Sequence, residues 1–542
     1  VEAAGLVKID LLGNRSLAVI RDTLENLKQN GIPLGEGFRD PASDPETQAL
    51  IARGHTIGVF YVESPAMRQL QAKTGKGDFE HLVIHSSIIR PAANRFINLY
   101  VRRLKGEPYK PLHPDLDRIL GETYGILCYQ EDVSKAAVVL AGFSNADADG
   151  LRKILSKKNK DARLSRYREQ FYQGALKRGV PQETIDAVWE MILSFEGYSF
   201  CKAHSASYAM VSFQSAYLKA HHPAEFMAAV LSNRGGYYTP AAYVSEARRM
   251  GITILGPDVN QSLYRYSGRG REIRVGFVEV KGLHRETADA IIRQRDRGLF
   301  QSVEDVGRRV TLAGEDAEAL VSVGALDSLA GGLSRAEQLW ILLKTQAAKQ
   351  RGKVEGGGRP LIGWENALVG KGNLPRAPRP SVWRASWEEE ALFGRESPLS
   401  ARGALRDQTD RTTATEGEYR RLGFLLDRHI LELWESIPAR YRRVRGKNLP
   451  QVVGRRVELV GWPVTSKEVL TREGKPMEFV SFEDETAIYE AVLFPPVYGR
   501  YARLLDEPRP VIIRGTVQED LGAVAIHVEE LSPLARKNRK ER

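Results

Sequence analysis

The chain has 542 residues and a formal net charge of +11; 42% of its residues are hydrophobic and 27% charged. That length is too great for one core and implies about three or four domains. No apolar run approaches the roughly 18 residues of a membrane span, and no charged-then-apolar signal peptide opens the chain, which argues against membrane and secreted classes. The two cysteines, Cys128 and Cys201, point to a reducing cytoplasm rather than a disulfide or zinc framework. The basic balance suits a polyanionic partner. The chain begins with Val1 and its first methionine is Met67, which implies either a GTG start translated literally or an N-terminal part cut away, and we expect the cut.

In chain order, Gly5 to Gly13 reads as a short strand with Val7, Ile9 and Leu11 on one face and Lys8 and Asp10 on the other. An Asp beside a Lys at a strand end can hold Mg²⁺ and a triphosphate together, or can be a plain surface ion pair. Asn14 to Asn30 predicts an amphipathic helix burying Leu17, Ile20, Leu24 and Leu27. Two helical pieces follow over 45–75, on either side of Gly58-Val59-Phe60-Tyr61, with Ser64-Pro65 capping the second. Ser86 to Lys110 interleaves Arg90, Arg95, Arg102, Arg103 and Lys105 with aromatics, a pattern of nucleotide surfaces and of solvated helix faces alike.

Glu122 to Asp132 leads into a helix that reaches Ala141-Gly142-Phe143-Ser144. Beyond it, Arg152, Lys153, Lys157 and Lys158 flank Ser156 at a density that could meet a triphosphate's charge. The densest stretch is Gly197 to Ala209, continuing to Pro223. Ala209, Phe213, Ala216 and Ala220 recur at helical spacing and should pack inward, with Lys202 and His204 at the entry turn, where backbone N–H groups are free for phosphate. A planar anionic ligand fits this segment; a core helix with a satisfied histidine is the other reading.

Five of these stretches stand in the order and rough spacing of one family: Val7 to Gly13 with Asp10, Arg90-Pro91, Tyr124 to Glu131, Ala141 to Ser144 with Leu151-Arg152-Lys153, and Tyr198 to His204. The chain resembles the C-terminal half of the alpha subunit of bacterial DNA polymerase III, a C-family DNA polymerase. The resemblance implies template-directed DNA synthesis, in which a primer 3′-hydroxyl attacks a dNTP while carboxylate-held Mg²⁺ stabilises the attacking and leaving oxygens. It makes Asp10 the third catalytic carboxylate and metal ligand of the palm, with Lys8 beside it at the triphosphate. Arg90, Arg152, Lys153, Lys202 and His204 become nucleotide-binding residues, the last two lining the pocket near the ribose.

The departures limit that expectation. The family's other two catalytic Asp residues lie upstream in a Pro-Asp-x-Asp-x-Asp element, a pattern that does not occur here. One carboxylate cannot hold two metals, so no primer extension is expected from this chain by itself. A non-catalytic DNA-binding protein derived from the polymerase is the alternative. Ala92-Ala93, Cys201 and Ala203 depart from the common pattern toward the family's divergent, error-prone branch.

The rest of the chain is of the binding kind. Arg248 to Pro257 predicts a helix leading into a strand. Val280-Lys281-Gly282-Leu283 followed by Arg285 predicts a helix-hairpin-helix whose Lys281, Gly282 and Arg285 meet duplex phosphate, with a second hairpin near Gly324. Residues 350–385 read as a linker. Leu392-Phe393 resembles the short peptide by which such polymerases hold the sliding clamp, though without its leading Gln.

Short alternating strands at 457–461, 479–484, 489–494 and 511–515, with Gly461 and Gly515 near strand ends, predict an OB-type barrel. The expected fold is multidomain α+β: end of palm at 1–15, mostly helical fingers at 16–245, helix-hairpin-helix domain at 246–345, linker and connecting segment at 346–445, OB-fold at 446–533 and basic tail at 534–542. Expected partners are primer-template DNA, dNTP, the sliding clamp and other replisome or repair-polymerase subunits, with no membrane.

Overall fold

The computed structural model describes residues 15–90, 94–155, 161–195, 200–354, 406–434, 444–471, 473–506 and 509–534. Asp10, Lys8, Lys157, Lys158, Leu392, Phe393, residues 355–385 of the linker and the tail from 535 lie outside the described residues. Contacts divide the chain into two compact units: one of residues up to Phe226 with two short later segments, the other of most residues from Met227 onward.

Up to His221 the regular elements of the first unit are helices, the α-helices being α1 (Arg15–Gln29), α2 (Pro45–Ala52), α3 (Pro65–Thr74), α4 (Phe79–Ile88), α5 (Asn94–Leu104), α6 (Pro114–Leu120), α7 (Gln130–Ala141), α8 (Asn145–Leu155), α9 (Asp161–Lys177), α10 (Gln182–Leu193) and α11 (Lys202–His221). Local chemistry sets many of the starts. Asp44, Ser64 and Asp78 accept the N–H groups of Thr47, Met67 and His81, and Pro45 and Pro65 open α2 and α3.

Two layers of packing matter for the site. α11 is the central helix of one, against α1, α2 and α4, and α7 of the other, against α6, α8 and α9. Ala209, Phe213 and Ala216 are buried along α11 as their spacing predicts. α1 differs from its prediction: Leu17 is 52% exposed, and the buried face is Val19, Ile20, Thr23, Asn26 and Leu27. Thr23 can lie on that face because its hydroxyl donates to Val19 O at 2.7 Å.

In the second unit, α13 (Pro240–Arg249) runs into a small sheet in which β1 (Thr253–Leu255) pairs in parallel with β3 (Glu272–Arg274), and β2 (Ser267–Arg269) pairs antiparallel to β3. α14 (Arg285–Arg295), α15 (Val303–Arg309), α16 (Gly314–Ser322) and α17 (Arg335–Val354) follow, then α18 (Arg406–Leu422). α12 (Pro223–Asn233) spans the division between the units.

The C-terminal strands close a barrel in the order β4 (Arg456–Leu470), β5 (Pro476–Glu483), β6 (Ile488–Leu493), β8 (Ala523–Pro533), β7 (Val511–Asp520), with α19 (Pro495–Leu505) between β6 and β7. On β7, Val511, Ile513 and Val517 point into the barrel at 0% exposure, while Ile512 faces outward and joins Tyr419, Leu425, Leu431, Trp434, Val460 and Leu534 in a core shared with the connecting segment. Gly461 and Gly515 lie inside strands rather than near their ends, where a Cβ would strike Tyr489 Oη and His527 O. The fifth strand, β8, has no counterpart in the sequence expectation.

A buried polar knot ties the barrel to α13. Glu483 at the end of β5 lies 3.3 Å from His429 Nε2 and 3.4 Å from Arg249 Nη1, and Ser245 Oγ donates to it at 3.4 Å. His429 Nδ1 accepts the N–H of Leu431, which leaves Nε2 as the protonated nitrogen facing Glu483.

The α7–α9 crossing depends on one missing side chain. Gly174 of α9 lies against Ala141 O so closely that a Cβ would sit far inside van der Waals contact with backbone. Gly174→Ala should therefore destabilise the protein by about 1–3 kcal/mol, read as a lowered urea midpoint. Gly121→Ala, where a Cβ meets open space, should change it by no more than about 0.5 kcal/mol. Equal midpoints for the two variants would refute the close crossing.

Candidate functional site

The site is built on the first turn of α7. Asp132, 3% exposed, accepts the N–H groups of Cys128 at 3.0 Å and Tyr129 at 2.9 Å. Burial pushes its carboxyl pKa up to about 6, against the opposing pull of those two N–H groups. Asp132 thus folds the Tyr124–Tyr129 loop back onto the helix that follows it. Tyr124 takes a left-handed backbone, and Arg103 donates to its carbonyl at 2.6 Å.

Three stretches remote in sequence meet here. Gln130 N–H donates to Phe200 O at 3.0 Å, and Arg152 Nη1 donates to Gln130 Oε1 at 2.8 Å. The Lys202 backbone N–H donates to Glu131 Oε2 at 3.3 Å, and its ammonium lies 5.4 Å from the Tyr129 ring centroid. Carboxylates hold the cations: Asp149 takes Arg152 and Lys153, each at 2.7 Å, and Glu122 takes Lys202 at 2.6 Å. Side-chain hydrogen bonds from Lys153 and Arg152 hold the exposed Asp149 carboxyl below its usual range. Cations on an open face beside a helix N-terminus suit an oligophosphate.

Arg90 lies beneath that face, not on it. It is 3% exposed, donates to Leu127 O at 3.1 Å and stacks 3.6 Å from the Phe195 ring centroid; burial lowers its pKa to about 10. Through its bond to Leu127 O, Arg90 holds the 124–129 loop from below.

His204 stands in an aromatic cluster. Its ring is stacked on Phe200 (5.4 Å, 15°) and meets Tyr208 at 4.1 Å. Phe60 and Tyr61, from a loop far upstream, reach Tyr208 at 5.2 and 5.0 Å. α11 carries that loop itself: Ser212 Oγ donates to Phe60 O at 2.9 Å, and the buried Lys219 ammonium donates to His55 O and Ile57 O at 2.9 and 2.8 Å. Sequence reading missed Asp132, Ser212 and Lys219 as site-building residues. A serine and a lysine at i and i+7, interspersed with the inward-spaced Ala209, Phe213 and Ala216, were the available signal.

In the second unit, the Gly282 turn has a left-handed backbone (φ 86°) and is covered on one side by Arg421. Lys281 N–H donates to Arg421 O, and Arg421 Nη1 donates back to Lys281 O, both at 3.0 Å. His284 N–H is taken by Asp316 at 2.8 Å. Among the described residues, the Gly282 N–H has no partner, and the Lys281 side chain is exposed. Arg285 stacks 3.6 Å over the Tyr264 ring and pairs with Asp289. On the barrel, exposed Phe479 stands directly across from exposed Lys467, and Phe494 is equally open.

No helix among the described residues is long and apolar enough to cross a membrane. Together, a helical unit that gathers cations, a hairpin-bearing unit and a closed five-stranded barrel define a modular protein that handles nucleic acid.

Comparison with known proteins gives the family. Residues 16–179 match the bacterial DNA polymerase III alpha subunit finger domain, 251–338 a helix-hairpin-helix motif, and 457–534 an OB-fold nucleic acid binding domain. DNA polymerase III subunit alpha of Saccharopolyspora erythraea is 31% identical, covering 98% of this chain and 44% of that protein; its counterpart in Thermus aquaticus is 33% identical over 96% and 41%. An error-prone DNA polymerase of Symbiobacterium thermophilum is 31% identical over 98% and 50%. The chain thus spans about half or less of the length of these relatives. Over nearly its whole length the chain is similar to bacterial DNA polymerase III alpha subunits and error-prone DNA polymerases.

Behind the loop, His85 is fully buried with its ring edge on Tyr100, which in turn meets Tyr124. Burial lowers the His85 pKa to about 3, against 6.5 when unfolded. The unfolded chain therefore binds a proton that the folded chain refuses, and stability falls as pH drops from 6.5 toward 3. At pH 4.5 this amounts to about 3 kcal/mol. In His85→Phe, the loss of stability between pH 7 and 4.5 should be smaller by that amount in urea titrations; identical losses would refute the burial argument.

Proposed function

We propose that this chain forms the nucleotide-meeting, duplex-binding and strand-binding parts of a DNA-directed DNA polymerase that adds dNTPs to a primer 3′-hydroxyl. The observation that carries the reading is the meeting of Arg152 and Lys202 at the start of α7, with Lys153 sharing Asp149 with Arg152, each cation held by a surface carboxylate that a triphosphate could displace. In this reading, Arg152 and Lys153 neutralise the departing pyrophosphate, and Lys202 and His204 face the sugar end of the nucleotide. Lys281, Gly282 and Arg285 meet duplex phosphate, and Phe479 beside Lys467 offers a stacking and charge pair to a single strand.

Asp10 with Lys8 would complete the catalytic carboxylates, and Leu392-Phe393 would reach a sliding clamp; both proposals concern residues outside the described part. The domain limits set out from the sequence, and work in the cytoplasm on primer-template DNA, belong to the same proposal. The family implies use of a divalent metal, for which Mg²⁺ is our assignment. Among the described residues, no group of three or more His, Cys, Asp or Glu side chains stands together as a metal site.

Two measurements test the proposal. In a polymerase carrying this chain together with its palm, Arg152→Ala should lower kcat/KM for dNTP by about 10- to 100-fold, as expected for losing a charge-assisted phosphate contact. An unchanged kcat/KM would remove Arg152 from the nucleotide site. For DNA, the affinity of this chain for a primer-template duplex should fall linearly on a log–log plot against salt, and Lys281→Ala should flatten the slope by about 1. A slope unmoved by Lys281→Ala would place the phosphate contacts elsewhere.

A further inference from the structure

We propose that Tyr208 is a positioning residue of the nucleotide pocket, acting through His204. This rests on the reading that His204 faces the nucleotide. An imidazole on the first turn of a helix has free rotation unless its neighbours remove it, and a group that reads a ligand must hold one orientation. Here the ring is caught between Phe200, nearly parallel at 15°, and Tyr208, whose centroid is 4.1 Å away. All three rings are half-buried, so one side of the stack stays open to a ligand.

Tyr208 is itself braced. Tyr61 meets it edge-on at 86° and 5.0 Å, and Phe60 at 62° and 5.2 Å. Tyr61 does so from a left-handed backbone, φ 67°, which a bulky residue adopts only when its surroundings demand it. Those surroundings are the loop fixed to α11 by Ser212 and Lys219, together with Glu63, which accepts Gly58 N–H at 2.8 Å. Helix, loop and ring stack thus form one rigid assembly, of which His204 is the member on the first turn of α11.

The test is the affinity of this chain for a fluorescent dATP analogue with Mg²⁺, in wild type, His204→Ala, Tyr208→Leu, Tyr208→Phe and the double variant His204→Ala/Tyr208→Leu. His204→Ala and Tyr208→Leu should each weaken binding about fivefold, and the double variant should match His204→Ala, because coupled groups are non-additive. Tyr208→Phe, which keeps the ring, should stay within about twofold of wild type. The His204 imidazole resonances should shift in Tyr208→Leu and stay in place in Tyr208→Phe.

Should Tyr208→Leu fail to fold by thermal melt, Tyr61→Asn, which tolerates the left-handed backbone, is expected to give the same loss and the same resonance shift. If His204→Ala weakens binding while Tyr208→Leu does not, or if the two losses add in full, the positioning role is wrong and the reading of His204 stands. If His204→Ala binds as wild type does, or wild type does not bind, the reading of His204 fails and the proposal with it.

Discussion

One buried carboxylate organises the first unit. Asp132 lies where two consecutive N–H groups converge, and satisfying them costs the desolvation that pushes its pKa up. The result is a loop that doubles back at the start of α7, with Tyr129 buried and Gln130 and Glu131 half-buried at its edge. Each of these residues then receives something from a distant stretch: a Lys202 ammonium over the first, Arg152 on the second, the Lys202 backbone on the third. Without the fold-back, α8 and the start of α11 would have no common point of attachment.

Burial sorts the charges by what they can do. Arg90, Lys219, Asp132 and Glu483 are enclosed, each bonded to backbone or to another buried group, and removing any partner would leave an uncompensated polar atom in low dielectric. They are structural for that reason. Arg152, Lys153 and Lys202 are paired to Asp149 and Glu122 at the surface, where such pairs contribute about 0–1 kcal/mol. Weak pairing is what a ligand site requires, because an incoming phosphate has to replace the carboxylate without a large penalty.

Much of this was legible in the sequence, for stated physical reasons. Period-three-and-four spacing placed Ala209, Phe213 and Ala216 inside, and proline and serine at 64–65 marked the start of α3. The cation-rich stretch at 152–153 and the entry turn at 202–204 could be named from local density alone. Spacing could not tell that Leu17 is exposed, since the choice between adjacent faces of α1 is made by α11, a partner far along the chain. Nor could it distinguish Arg90, which lies beneath the face, from Arg152 upon it; both read as cations next to aromatics. The fifth barrel strand was missed because Ala523 to Val528 mixes small residues and a histidine into its alternation. Its place is set by pairing with neighbours, not by its own pattern.

The contrast between how cations and rings are held leads to a division of labour. The cations at the start of α7 are held by exchangeable surface pairs, so they can follow a polyanion as it arrives and leaves. The rings around His204 are held by packing and by carbonyls fixed to α11, which give no such freedom. Charge attraction is strong over distance but indifferent to shape, whereas a rigid ring wall discriminates shape at contact range. Under the proposed function, a site with both parts side by side, linked through the Gln130 to Phe200 bond, would draw in a nucleoside triphosphate by charge and leave discrimination to the wall.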